Sequence, residues 1–140
     1  MQLPTSSQAL LLAATLFAGS AFAADCFLGS EGVAPFTSTD GLAIADDITA
    51  GTVFTFPLEV KAQQVGSATA GTATLCVVNG FFFDNTHVAA SDVDFAIRDI
   101  ISQCSEDGTS NGGNFKIKGD TGLEIAIDVI PTAFGRCRSN

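Results

Sequence analysis

Four cysteines, one histidine and several pairs of acids are the side chains whose chemistry could define a site in this chain. Cys26, Cys76, Cys104 and Cys137 could serve as thiolate nucleophiles, as metal ligands or as two disulfides. Hydrolysis by a serine or cysteine would have to recruit His87, the single histidine, and no Gly-x-Ser-x-Gly elbow is present. Zinc needs three or four clustered ligands, which one histidine and paired cysteines do not supply. Two carboxylates can run glycoside hydrolysis, and Asp46-Asp47, Asp92 with Asp94, and Glu106-Asp107 are the candidates. Neighbouring acids of this kind more often cap a helix or sit in solvent. Glu106, Asp107, Asn111, Asn114 and Asp120 form an oxygen-rich stretch whose spacing does not follow a calcium loop. The expectation is therefore no catalytic set, no metal and no cofactor, with His87 a solvated loop residue.

The cysteines read as disulfides because of what precedes them. Leu10 to Phe17 is a short apolar run, and Ala21-Phe22-Ala23 fits the small-x-small rule for signal peptidase, with the cut before Ala24. The run falls short of the roughly 20 residues needed to cross a bilayer. Residues 1–23 are thus expected to be a signal peptide and residues 24–140 a single secreted domain. An even cysteine count in a short exported chain implies two disulfides. Fifteen acidic against six basic residues give a net charge of −9, which disfavours nucleic acid and anionic membrane surfaces. The chain carries twelve Phe with no Trp or Tyr, a poor basis for a carbohydrate-binding face. Most of these Phe should be core. Core placement is the first expectation for Phe81-Phe82-Phe83 too, but consecutive strand residues point to opposite faces and cannot all enter one layer, so at least one could be exposed or lie beneath a loop. Phe82 is the candidate contact for a protein partner.

The elements that would position these residues follow from periodicity. Asp25 to Gly29 suggests a first strand. Thr39 or Asp40 could cap a helix through Leu42, Ile44, Ala45 and Ile48, stopped at Gly51. Thr52 to Lys61 alternates as a strand, with Pro57 on the outward set arguing for a sheet edge. Gln63 to Gly71 reads as a polar linker into a strand over Thr72 to Val78, the two strands forming a hairpin. Asn79-Gly80 is a turn or bulge beyond which Phe81 to Phe83 could continue the strand. Ser91 with Asp94 resembles a capping box, opening a helix whose stripe is Val93, Ile97, Ile100, Ile101 and Cys104. Asp94 and Arg98 are spaced to pair. After a polar loop, Ser105 to Asn114, Phe115–Lys118 and Leu123–Val129 alternate strictly and predict a hairpin.

This order predicts an α+β fold, a β-α-β-β-α-β sandwich with two helices on one face of an antiparallel sheet and two disulfides. Four cysteines allow three pairings. The expected strand order favours Cys26 with Cys137 and Cys76 with Cys104.

The arrangement resembles the small secreted fungal proteins built on the killer-toxin α/β-sandwich, and the related necrosis-inducing effectors. The resemblance rests on Asp25-Cys26, Thr74-Leu75-Cys76-Val77-Val78, the helix from Ser91 to Cys104, Gly113 to Asp120, and Leu123 to Val129 with Cys137. The chain departs from those families in lacking a cysteine between Asp40 and Ala50 and in its acidic balance. The resemblance implies a non-enzymatic secreted protein acting at a host or competitor cell; the expected partner is a protein of that cell, and the chain itself is expected to be a monomer. A small extracellular hydrolase and a structural wall-associated protein are the alternatives.

Overall fold

The structure, a computed structural model, describes residues 23–138. The expected signal peptide lies outside the described residues except for Ala23. In chain order the elements are β1 (Asp25–Cys26), β2 (Phe36–Thr37), α1 (Ser38–Ala50), β3 (Leu58–Val60), β4 (Val65–Ala70) and β5 (Ala73–Val78). They continue with β6 (Thr86–Val88), α2 (Ala90–Cys104), β7 (Ser105–Glu106), β8 (Thr109–Ser110), β9 (Gly113–Lys118) and β10 (Glu124–Pro131). The fold is α+β, as expected. An antiparallel five-stranded sheet in the order β1-β9-β10-β5-β4 carries both helices, packed side by side, on one face.

The strongest local patterns build the centre. On β9 and β10, Phe115, Ile117, Ile125, Ile127 and Val129 turn towards the helices and are buried, while Lys116, Lys118 and Glu124 turn outward. The α2 stripe of Val93, Ile97, Ile100 and Ile101 closes that layer. Each such side chain, fully buried, contributes about 1.5–3 kcal/mol before entropy is subtracted. Gly51 ends α1 in the left-handed conformation, φ 71°, donating its N–H back to the last turn.

The helix starts differ from expectation. Thr37 caps α1, its Oγ1 accepting from the Asp40 N–H at 3.3 Å. Asp40 is engaged elsewhere, accepting from the N–H and hydroxyl of Thr72. Ala89 precedes α2 with no side-chain cap, so Ser91 and Asp94 form no capping box. Asp94 instead binds Arg98, as its spacing predicts.

The edge of the sheet is a second correction. In the segment Thr52 to Lys61 only Leu58–Val60 forms a strand, in a separate two-stranded sheet with β6. Phe56 and Leu58 are still more buried than Thr55, Pro57 and Glu59, so the alternation governs burial without a continuous ladder. The true edge strand is β4, inside the stretch read as a linker, and it pairs with β5 along its whole length. Its helix-facing residues are Gly66, Ala68 and Ala70, too small to register as a hydrophobic pattern yet suited to the close approach of α1. The loop Ser105 to Asn114 likewise holds β7 and β8, which join β2 in a small sheet. The Phe81 to Phe83 stretch does not extend β5.

The disulfides are Cys26–Cys104 and Cys76–Cys137, not the expected pairing. Strand parity gives the reason. Leu75 and Val77 face the helices, so Cys76 between them faces the other side and cannot reach Cys104 at the end of α2. The chain leaving β10 crosses that outer face. Thr132 meets Thr74 at 3.1 Å, and Cys137 closes onto Cys76. Cys104 sits over Gly113 of β9, beside which β1 carries Cys26. No described helix is long and apolar enough to cross a membrane.

Candidate binding surface

Phe81, Phe82 and Phe83 form the tip of the loop between β5 and β6 and are 40%, 70% and 93% exposed. Phe82 and Phe83 lie with ring centroids 6.3 Å apart. Their exposure is fixed by polar residues at the loop base. Asn79, itself buried, donates from Nδ2 to the carbonyls of Val60 (3.0 Å) and Asp84 (2.9 Å) and accepts from the Phe81 N–H (3.0 Å). The Gln63 N–H donates to the Phe81 carbonyl, and Asn85 Oδ1 accepts from the Ala62 N–H. The loop is therefore closed at both ends against the turn after β3, and its apolar tip is presented rather than collapsed. Asn79 was legible in sequence only as a turn residue. Its buried, saturated amide is what makes the loop a platform.

Two shallow depressions lie beside Lys116 and Glu124, and only the first reaches the tip, through Phe81. One, of about 280 Å³, is lined by Phe81, Lys116 and Glu124 among others. The second, of about 560 Å³, runs between α2 and β9 and is lined by Asp92, Phe95, Phe115, Ile117 and Lys118, again with Lys116 and Glu124. The ion pair from Lys116 Nζ to Glu124 (3.5 Å) stands between them. Phe95 is 57% exposed and meets Phe115 edge-on at 5.7 Å.

His87 is not a free loop side chain. Its Nδ1 lies 3.1 Å from Asp120, which also accepts from the His87 N–H (2.9 Å) and the Thr86 hydroxyl (3.1 Å). These bonds, the backbone one foremost, hold the Asp120 carboxyl below the usual range. The pair borders a depression of about 570 Å³. Base and orienting acid are in place, but among the described residues no hydroxyl or thiol bonds the other ring nitrogen, and all four cysteines are bridged.

The carboxylate candidates are dispersed. Asp46 and Asp94 converge on Arg98, at 2.8 Å and 3.0 Å, clamping α1 to α2. Asp47 accepts from Thr52, and Glu106 and Asp107 lie at the β7–β8 turn. Asn114 donates to Asp128, whose carboxyl burial pushes upward. Asp120 is taken up by His87, so the oxygen-rich stretch does not converge, and no cluster of three or more His, Cys, Asp or Glu able to hold a metal occurs among the described residues. In comparison with known proteins, the chain matches no family model and no curated sequence.

Proposed function

We propose that the chain is exported, loses residues 1–23, and acts without catalysis by binding a protein of a target cell through the Phe81–Phe83 loop. This follows the class of fungal effectors that the sequence resembles. The observation that carries it is the exposed phenylalanine tip on an anchored base, since a soluble domain exposes such an apolar cluster at a cost in solubility. Two disulfides suit an oxidising compartment. The test compares the oxidised protein with the Phe82→Ser/Phe83→Ser variant as baits on intact target cells. The variant should keep its thermal stability within about 0.5 kcal/mol, because both rings are exposed, and lose the captured protein. Capture of the same protein by both baits would refute the assignment.

A small hydrolase is the second reading, favoured by the His87–Asp120 pair. It requires that His87→Ala abolish a measurable hydrolytic activity.

A further inference from the structure

Among the described residues the sheet has an unoccupied stretch of edge beside an apolar groove, and we propose that it accepts an extended peptide as an added strand, with acidic residues alternating with an apolar one. β10 pairs with all of β9, but on the opposite side β1 pairs only with Gly113 and Asn114. Continuing the β1 register sets Ala24 opposite Phe115 and Ala23 opposite Lys116, so in the form cut before Ala24 the open stretch is Lys116 to Lys118. Hydrogen-bond parity settles which groups face it. The Phe27 N–H bonds the Gly112 carbonyl, and the Gly119 N–H bonds the Leu123 carbonyl. Gly119, Ile117 and Phe115 therefore direct their backbone groups to β10, whereas Lys116 and Lys118 direct theirs to the open side. Among the described residues no strand pairs with them, and β6 closes the same side only at Asp120, whose N–H donates to the His87 carbonyl.

The walls on either side of that edge specify the guest. Towards the helices the groove is lined by Phe115, Ile117 and Phe95, with Asp92 at its rim. It continues past Lys118 into the depression beside Pro57 and His87, which shares Asp92 and Lys118. On the outer face stand the Lys116 and Lys118 ammonium groups; Lys116 meets Glu124, and Lys118 is in no ion pair among the described residues. A strand added here alternates its side chains between these two environments. Residues opposite Lys116 and Lys118 fall on the outer face and should be acidic. The residue between them, opposite Ile117, points at Phe95 and should be apolar. The two lysines also disfavour a second copy of the same edge, where like charges would meet.

This surface rests on the loss of residues 1–23 in the proposed function, since Ala23 would otherwise fall opposite Lys116, but it does not use the phenylalanine tip, so this test and the capture test fail independently. The probe is a short blocked peptide of alternating valine and glutamate, added to the oxidised protein and followed by amide hydrogen exchange and chemical shifts. Lys116 and Lys118 amides should gain protection at saturation, and Phe82→Ser should leave binding unchanged. Lys118→Glu, at an exposed and unpaired position, should weaken the glutamate peptide about tenfold while preserving the melting temperature. A peptide N-methylated at every residue, unable to donate to the Lys116 and Lys118 carbonyls, should not protect the edge. The proposal is overturned if the Lys116 and Lys118 amides stay unprotected, if a valine–lysine peptide binds equally well, or if the shifts map to the phenylalanine tip.

Discussion

The two edges of the five-stranded sheet are secured by different means. The β4 edge is held by a ladder along its full length, closed by a tight turn at Gly71-Thr72. Its outward side chains, Val65, Ser67 and Thr69, are small and neutral. The β1 edge has only two ladder residues, and the Cys26–Cys104 bond to the end of α2 supplies what the ladder does not. Beyond β1 the edge carries lysines. Packing differs in the same sense. A Cβ on Gly113 would lie 2.9 Å from the Asp25 carbonyl oxygen and 3.0 Å from Cys104 Sγ, whereas one on Gly66 would make ordinary contact with Phe54 at 3.8 Å. Where hydrogen bonds are few, a covalent bond and a close backbone approach take over. Where the ladder is long, side chains are free to be unremarkable.

The largest effects should come from the disulfides. Their sequence separations are 78 and 61, so the chain-entropy contribution is similar, about 4 kcal/mol each. Removing Cys76–Cys137 with paired alanines should nevertheless cost more global stability, because Cys76 is fully buried at the sheet centre while Cys26 is exposed. Removing Cys26–Cys104 should accelerate exchange first at β1 and Asn114. Uniform acceleration across β4 and β5 in that variant would break the contrast between edges. Denaturant melts with exchange mass spectrometry read both.

Glycine substitutions come next. Gly112 has φ 94°, and any Cβ there overlaps the Val129 carbonyl oxygen, so Gly112→Ala should destabilise by about 3 kcal/mol. Gly66→Ala should be neutral or stabilising by about 0.5 kcal/mol, as a strand glycine with room for a methyl group. Equal losses in chemical denaturation would mean that both edges are equally tight.

Asp128 lies between the two edges, opposite both Cys76 and Asn114. Burial raises its folded pKa, so the native state favours the protonated form and stability declines as pH rises through that value. Asp128→Asn should therefore gain stability at neutral pH, by less than about 1 kcal/mol, and flatten this dependence. A loss at pH 7 would contradict the assignment.

The smallest effects concern the aspartates that clasp the hairpin turns. Asp40 holds the β4–β5 turn through the Thr72 hydroxyl and N–H, and Asp120 holds β6 against the β9–β10 turn. Both carboxyls are depressed by these bonds. Their contribution is present above the unfolded carboxylate pKa and is lost as pH falls through the lower folded value. Asp40→Asn and Asp120→Asn should each lower Tm slightly at pH 7 and converge on the parent in strong acid. A difference that persists in acid would show that the turns are held by something else.

Much of the centre was legible in sequence. The Phe115–Lys118 and Leu123–Val129 alternation produced β9 and β10, and the Val93–Ile101 stripe produced α2. Asp94 and Arg98 paired as spaced, although the second partner, Asp46, came from α1. The β4 edge was not legible, because glycine and alanine packed under a helix carry no hydrophobic contrast. The disulfide pairing departs from the expected one although its parity signal is present in the sequence, since Leu75 and Val77 turn Cys76 away from α2. The phenylalanine triplet is plain in the sequence, but its presentation depends on Asn79 reaching Val60 and Asp84.

By itself the sequence determined the fold class, the central hairpin, the main helix and the presence of enough cysteines for two bridges. These are local matters, written in the spacing of neighbouring side chains. Only the tertiary structure decided which strand forms the edge, which cysteines meet and where an edge stays open beside Phe95. Each of those depends on segments distant in the chain. Closing a longer loop costs only slightly more entropy than a shorter one, so sequence distance hardly distinguishes the competing partners.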